Sequence, residues 1–169
     1  MAVTFVVEDG SIVTGANAYL SAADADVYFE NHGAPAGWTG IQTVKEEALR
    51  MATQALDLMF SYKGVQVQPT VQNLKWPRAK VAAPHLLPSD ETPQALQDAC
   101  AELALRALTT TLISDVSSAD QGIEAKMVKV GPIETETKYS GIKVNSVDYK
   151  IVRMILRDIT TSQNTIDRS

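Results

Sequence analysis

Residues 92–112 read TPQALQDACAELALRALTTTL, and this stretch decides the fold. Thr92 supplies a capping side chain ahead of Pro93, whose missing N–H costs nothing at the first helical position. A helix from Pro93 to about Leu112 follows. At 100° per residue its polar members Asp98, Glu102, Arg106 and Thr109 occupy an arc of only roughly 80°. Ala, Leu and Cys fill most of the remainder, including Leu105, Leu108 and Leu112. A helix apolar over most of its circumference needs partners on several sides, so it lies at the centre of a mainly helical fold or is shared with a neighbouring subunit.

Working outward, the partners are identifiable. Ser21 with Asp24 three residues on makes a capping box for a helix over Ala22–Asn31, closed by Gly33. Thr43 with Glu46 repeats that signature for a longer helix. There Val44, Ala48, Met51, Ala52, Ala55, Leu56, Met59 and Phe60 share a face, opposite Glu46, Glu47, Arg50, Gln54 and Asp57. Val3 to Val7 reads as a short strand stopped by Glu8-Asp9-Gly10. Beyond the polar 115–122 loop the period shortens to two, and Glu124–Tyr139 reads as two strands hinged at Gly131-Pro132. Ser146 then caps a final helix over Val147–Ile159. Its apolar residues Tyr149, Ile151, Val152, Ile155, Leu156 and Ile159 span roughly 160°, with Lys150, Arg153 and Arg157 on another face. The expected fold is mainly α (α+β), a bundle of about four helices with a β-hairpin. Residues 1–140 form the body and 141–169 an extended or helical C-terminal arm.

Composition narrows the chemistry. The 169-residue chain carries 15 Lys plus Arg against 20 Asp plus Glu, a formal charge of −5. It therefore has no global basic field for holding a polyanion by counterion release. One cysteine, Cys100, cannot form an internal disulfide, which points to a reducing, cytoplasmic origin. No apolar run approaches the roughly 20 residues of a membrane span, and the N-terminus lacks the basic region of a signal peptide. Phosphate-binding, dinucleotide, nucleophile-elbow and zincin motifs are absent, so enzyme is the weaker class and no cofactor is expected. His32, His85, Cys100, Asp24, Asp26 and Glu30 are the only metal-ligating candidates. Asp26 and Glu30 at i, i+4 read better as a solvated helix face, and Cys100 as a core thiol.

One stretch stays two-sided. Residues 74–81, LKWPRAKV, set Trp76 among Lys75, Arg78 and Lys80, the aromatic-plus-basic mixture that stacks and neutralises single-stranded nucleic acid. Alternatively Leu74 and Trp76 plug the core, Pro77 fixes the exit of the chain, and Arg78 serves a contact between subunits.

The order of signals resembles a known family. An N-terminal VEDGSIVTGANAYLSAADADVYF precedes an acid-rich amphipathic helix, Trp76-Pro77-Arg78, the PQALQDACAELA run at Pro93–Ala104, and VKVGPIE at Val128–Glu134. Together these resemble the head-to-tail adaptor (connector, head-completion) proteins of tailed bacteriophages, a group often labelled as similar to the primosomal single-stranded-DNA-binding protein DnaT.

The resemblance implies a non-enzymatic virion neck component, made in the host cytoplasm. It would assemble as a ring, by analogy dodecameric, below the portal protein. That ring would let genomic DNA pass without specific binding and offer a platform to a tail or stopper protein. It also implies portal docking by the C-terminal segment: Tyr149, Ile151, Val152, Ile155, Leu156 and Ile159, rimmed by Lys150, Arg153 and Arg157. Trp76, Pro77, Arg78, Leu105, Leu108 and Leu112 would brace the core or the contacts between subunits. The alternative it leaves open is a DnaT-like single-stranded-DNA-binding module.

Overall fold

A computed structural model describes residues 4–113 and 149–161 in full, and 125–130 and 133–138 by their backbone. Among these residues four helices, α1 (Ala22–Asn31), α2 (Gln42–Met59), α3 (Gln94–Ala107) and α4 (Lys150–Leu156), accompany two antiparallel strand pairs. β1 (Val65–Gln66) pairs with β2 (Arg78–Ala79), and β3 (Ala125–Val130) with β4 (Ile133–Lys138). The class is mainly α with some β, as the residue pattern predicts.

α3 is the central helix. Leu96, Ala99, Cys100, Ala101, Leu103 and Ala104 are all fully buried, against Leu49, Ala52, Ala55 and Leu56 of α2 and Val152 and Leu156 of α4. Alanines on both α2 and α3 let the two backbones approach closely, and each fully buried leucine contributes roughly 1.5–3 kcal/mol. Even the polar side of α3 is used. Glu102 accepts from the Tyr28 hydroxyl of α1 and pairs with Arg106 at 3.0 Å. The Arg106 guanidinium also lies 6.0 Å from the Tyr149 ring centroid.

Local chemistry explains both the agreements and the departures. α1 begins as expected, with Ser21 Oγ accepting from the Asp24 N–H at 3.1 Å. α2 starts two residues before Val44. Ile41 occupies the cap position without a side-chain bond, so Thr43 falls inside the first turn. Thr92 does not cap α3 either, because its hydroxyl donates to the Glu8 carbonyl at 3.1 Å and Pro93 takes the cap position. α3 stops at Ala107 rather than near Leu112, since the hydroxyls of Thr109 and Thr110 bond the Arg106 carbonyl in place of further helix. The strand expected at Val3–Val7 is reduced, over residues 4–7, to one bridge between Val7 and Ala18. The Asn17 side chain takes the place of a strand partner, bonding Val6 N and Thr4 O.

The two expected strands pair, with Ala125 opposite Lys138 and Val130 opposite Ile133, and the expected hinge at Gly131-Pro132 lies outside the described residues. Ser146, the expected cap of the last helix, lies outside the described residues. The chain divides into two compact units, one of Met1–Leu112 with Tyr149–Ser169 and the other of Ile113–Asp148. The described part of the C-terminal segment therefore belongs to the helical unit, whereas the sequence reading separates it at 140/141. The reason is local pairing. Lys63 N bonds Ile159 O at 2.9 Å, Thr161 N bonds Ser61 O at 2.9 Å, and Tyr62 bridges Thr160.

Candidate functional site

The Leu74–Val81 loop is built inward. Trp76 is completely buried and its peptide bond to Pro77 is cis. Its ring meets Tyr62 edge-on with centroids 5.8 Å apart. The loop is held to α2 through one carboxylate: Asp57 Oδ1 accepts from the Tyr19 hydroxyl at 2.7 Å, and Oδ2 from the Lys75 N–H at 3.0 Å. Burial raises the Asp57 pKa above its ordinary value, against the lowering effect of those bonds and of the Lys75 and Arg78 charges. Burial and the adjacent Asp57 push the Tyr19 phenol upward as well.

Two of the loop's three cations, Lys75 and Arg78, are committed to backbone carbonyls. Arg78 donates to the carbonyls of Lys63 (2.8 Å), Gly64 (2.8 Å), Lys75 (3.3 Å) and Tyr62 (3.4 Å), stitching the β1 turn to the loop. Lys75 Nζ donates to the Phe60 carbonyl at 3.0 Å, and Lys63 Nζ to that of Asp158 at 2.7 Å. Lys80 is exposed, at φ 60°. No Phe, Tyr or Trp side chain is exposed among the described residues, and Trp76 is buried, so this loop presents no aromatic stacking platform to a nucleobase.

The residues assigned to docking fall into separate groups. Val152, Leu156 and Ile159 are buried in the helical core, and Tyr149 and Ile155 are half-buried. The Tyr149 hydroxyl donates to the Leu112 carbonyl at 2.9 Å. Ile151, Lys150, Arg153 and Arg157 remain on the surface. In this conformation the helix offers a partner only its Ile151 side, to which the structure adds Met154, an exposed residue the sequence reading left out. Leu105 and Leu108 are half-buried, and Leu112 is buried.

The exposed face of α2 differs from the one its spacing predicts. Val44 and Met51, expected on the core face of α2, are exposed, and Leu58 and Ile41 are exposed with them. The buried face of α2 is centred on Leu49, Ala52 and Leu56, with Ala48 and Ala55 beside them, which turns Val44 and Met51 out to the margin.

The metal-ligating candidates do not converge. Asp26 accepts from Trp38 Nε1 at 2.6 Å and from Lys45 Nζ at 2.7 Å; although burial works the other way, those two hydrogen bonds hold its pKa below the ordinary value. Lys45 also lies 5.4 Å from the Trp38 ring centroid. His32 stacks on Tyr28 at 4.1 Å, and His85 is exposed. Cys100 is fully buried, and burial pushes its thiol up to about 11. Among the described residues no three His, Cys, Asp or Glu side chains gather as metal ligands, and no helix is long and apolar enough to cross a membrane. An open cleft of about 400 Å³ beside Trp38 is lined by Asp26, Phe29, Glu30, Thr39 and Lys45, with its inner carboxylate already paired.

These features define a small, mainly helical protein whose distinctive motif serves its own core while two helices keep apolar residues on the surface. The chain belongs to the family described as "Putative DnaT-like ssDNA binding protein", whose model matches residues 3–168. No curated protein and no solved structure matches it.

Proposed function

We propose that this member of the DnaT-like family is a non-enzymatic assembly subunit, the head-to-tail adaptor of a tailed-phage virion. It would bind below the portal together with copies of itself and carry the next neck component. The observation that carries this reading is the commitment of the LKWPRAKV motif: Trp76 is buried, and Lys75 and Arg78 are spent on carbonyls. A subunit surrounding DNA in transit should not adhere to it, and a net charge of −5 with no exposed Phe, Tyr or Trp among the described residues suits that task. The exposed aliphatic residues of α2 and α4 suit a molecule that completes its burial in an assembly. The test mixes the purified chain with its cognate portal ring and follows co-sedimentation and electron micrographs. A ring seated on the portal is expected; failure of the two to associate would overturn the assignment.

The family description favours a second reading, binding of single-stranded DNA. It requires anisotropy of a labelled oligothymidylate to rise at low ionic strength and to fall steeply with added salt. In the adaptor reading the anisotropy stays flat.

A further inference from the structure

The exposed apolar residues of α2 lie on one line. Val44, Met51 and Leu58 are 41%, 43% and 66% exposed. Spaced seven apart, they stay within about 40° of one another on the helix, with Ile41 beyond them at the N-terminal end. The charge nearest this line on the solvent side is Glu47, which is exposed. Its nearest cation, the largely covered Arg50 guanidinium, is 3.8 Å away. α4 carries the counterpart. Ile151 and Met154, 50% and 75% exposed, sit one turn apart, bordered by Lys150 and Arg157. Asp158 faces Arg157 at 3.4 Å, which leaves the border positive. α3 packs against both α2 and α4, and the apolar residues of each remain exposed, so one molecule offers both surfaces at once.

We infer that the α2 stripe of one copy docks on the α4 patch of the next, with Glu47 set against Lys150 and Arg157. The occupant is a second copy of this chain, because the two surfaces match in apolar character and oppose in sign. The contact is heterologous: each copy uses two different faces, so successive copies close into a ring or extend as a filament. A twofold α2-to-α2 pairing would bring the same stripe together but leave the α4 patch bare. This inference rests on the assembly-subunit reading above and supplies its contact.

Cross-linking in the full chain decides it. Met51→Cys and Met154→Cys are made separately, with distinguishable tags; the native thiol of Cys100 is buried and stays out of the reaction. Under mild oxidation the mixture is expected to give the mixed disulfide, and neither variant alone a comparable yield. A Met51→Cys homodisulfide equal to the mixed product would replace the inference with the twofold pairing, and no cross-link at all would overturn it. Charge reversal gives an independent check. Glu47→Lys and Lys150→Glu are each expected to weaken self-association about tenfold, and the double variant to recover it; absence of recovery overturns the pairing. If rings still form without the cross-link, the contact is wrong and the adaptor reading stands. If the unmodified chain stays monomeric alone and with the portal, both fall.

Discussion

The hydroxyl of Tyr19 donates to Asp57 Oδ1 at 2.7 Å, and the Tyr19 hydroxyl oxygen in turn accepts the Trp76 N–H at 3.3 Å. A residue ahead of α1 thus joins the α2 carboxylate to the loop that carries the tryptophan. The cation-rich loop is anchored at its centre, and substitutions there act first on stability.

Arg78→Ala is expected to destabilise the fold by about 2–4 kcal/mol, because four carbonyls lose a charged donor in a half-buried setting. Arg78→Lys should recover only part of this, since an ammonium cannot reproduce the planar fork. Urea unfolding midpoints measure both. Equal stability of all three proteins would show that the stitching is incidental.

Trp76→Ala should cost about 3–5 kcal/mol through the cavity it leaves. Trp76→Phe should cost clearly less, because the indole Nε1 is buried with no protein partner and its removal breaks no protein hydrogen bond. The order of the two thermal midpoints tests this, and a Phe variant as unstable as the Ala one would contradict it.

Asp57 predicts a pH dependence whose sign follows from burial. Its folded pKa is raised above 3.8, so the folded state binds the proton more tightly than the unfolded chain. The corresponding stability is complete below pH 3.8 and is lost as pH rises through the folded pKa. Asp57→Asn should therefore gain on the wild type as pH increases across that window. Asp26 runs the other way: its lowered pKa gives stability present above 3.8 and lost as pH falls through the folded value. Unfolding curves of Asp57→Asn and Asp26→Asn against pH should show opposite trends relative to wild type, and parallel trends would refute the assignment.

Cys100 should resist thiol reagents. With the group fully buried and its pKa pushed up to about 11, a disulfide-exchange dye at mildly alkaline pH should label it only on the timescale of unfolding. Stoichiometric labelling of folded protein within seconds would place the thiol at the surface.

Removing residues 149–161 should abolish cooperative unfolding, since Val152, Leu156 and Ile159 fill the core and each large aliphatic is worth about 2–5 kcal/mol there. Loss of the tyrosine and tryptophan near-ultraviolet dichroism reports it. A truncated chain with a native spectrum would mean the last helix is dispensable.

Much of the fold was legible in periodicity. The centrality of α3 follows from its narrow polar arc, and the cap of α1 from Ser21 and Asp24. The pairing of β3 with β4 follows from the two-residue period of their sequences. Legibility failed where a side chain had a better use than the local one. Thr92 bonds Glu8, 84 residues away in sequence, and no window around a helix start contains that partner. The orientation of α2 depends on which residues α3 covers, Leu49 and Leu56 rather than Val44 and Met51, and the spacing along one helix does not encode that. For the candidate site, the bracing places of Trp76 and Pro77 were readable from their chemistry. The commitment of Arg78 to carbonyls within its own chain was not, because it depends on a turn at residues 62–64 that exists only after folding.

The pairing of residues 61–63 with 159–161 joins positions about a hundred apart. Helix α3 is therefore translated, and waits with one flank bare, until the segment that covers it has cleared the ribosome tunnel. Closure of the core waits on an element far along the sequence, and a chain halted before that element is made is left with a sticky, unfinished interior rather than a shorter working protein.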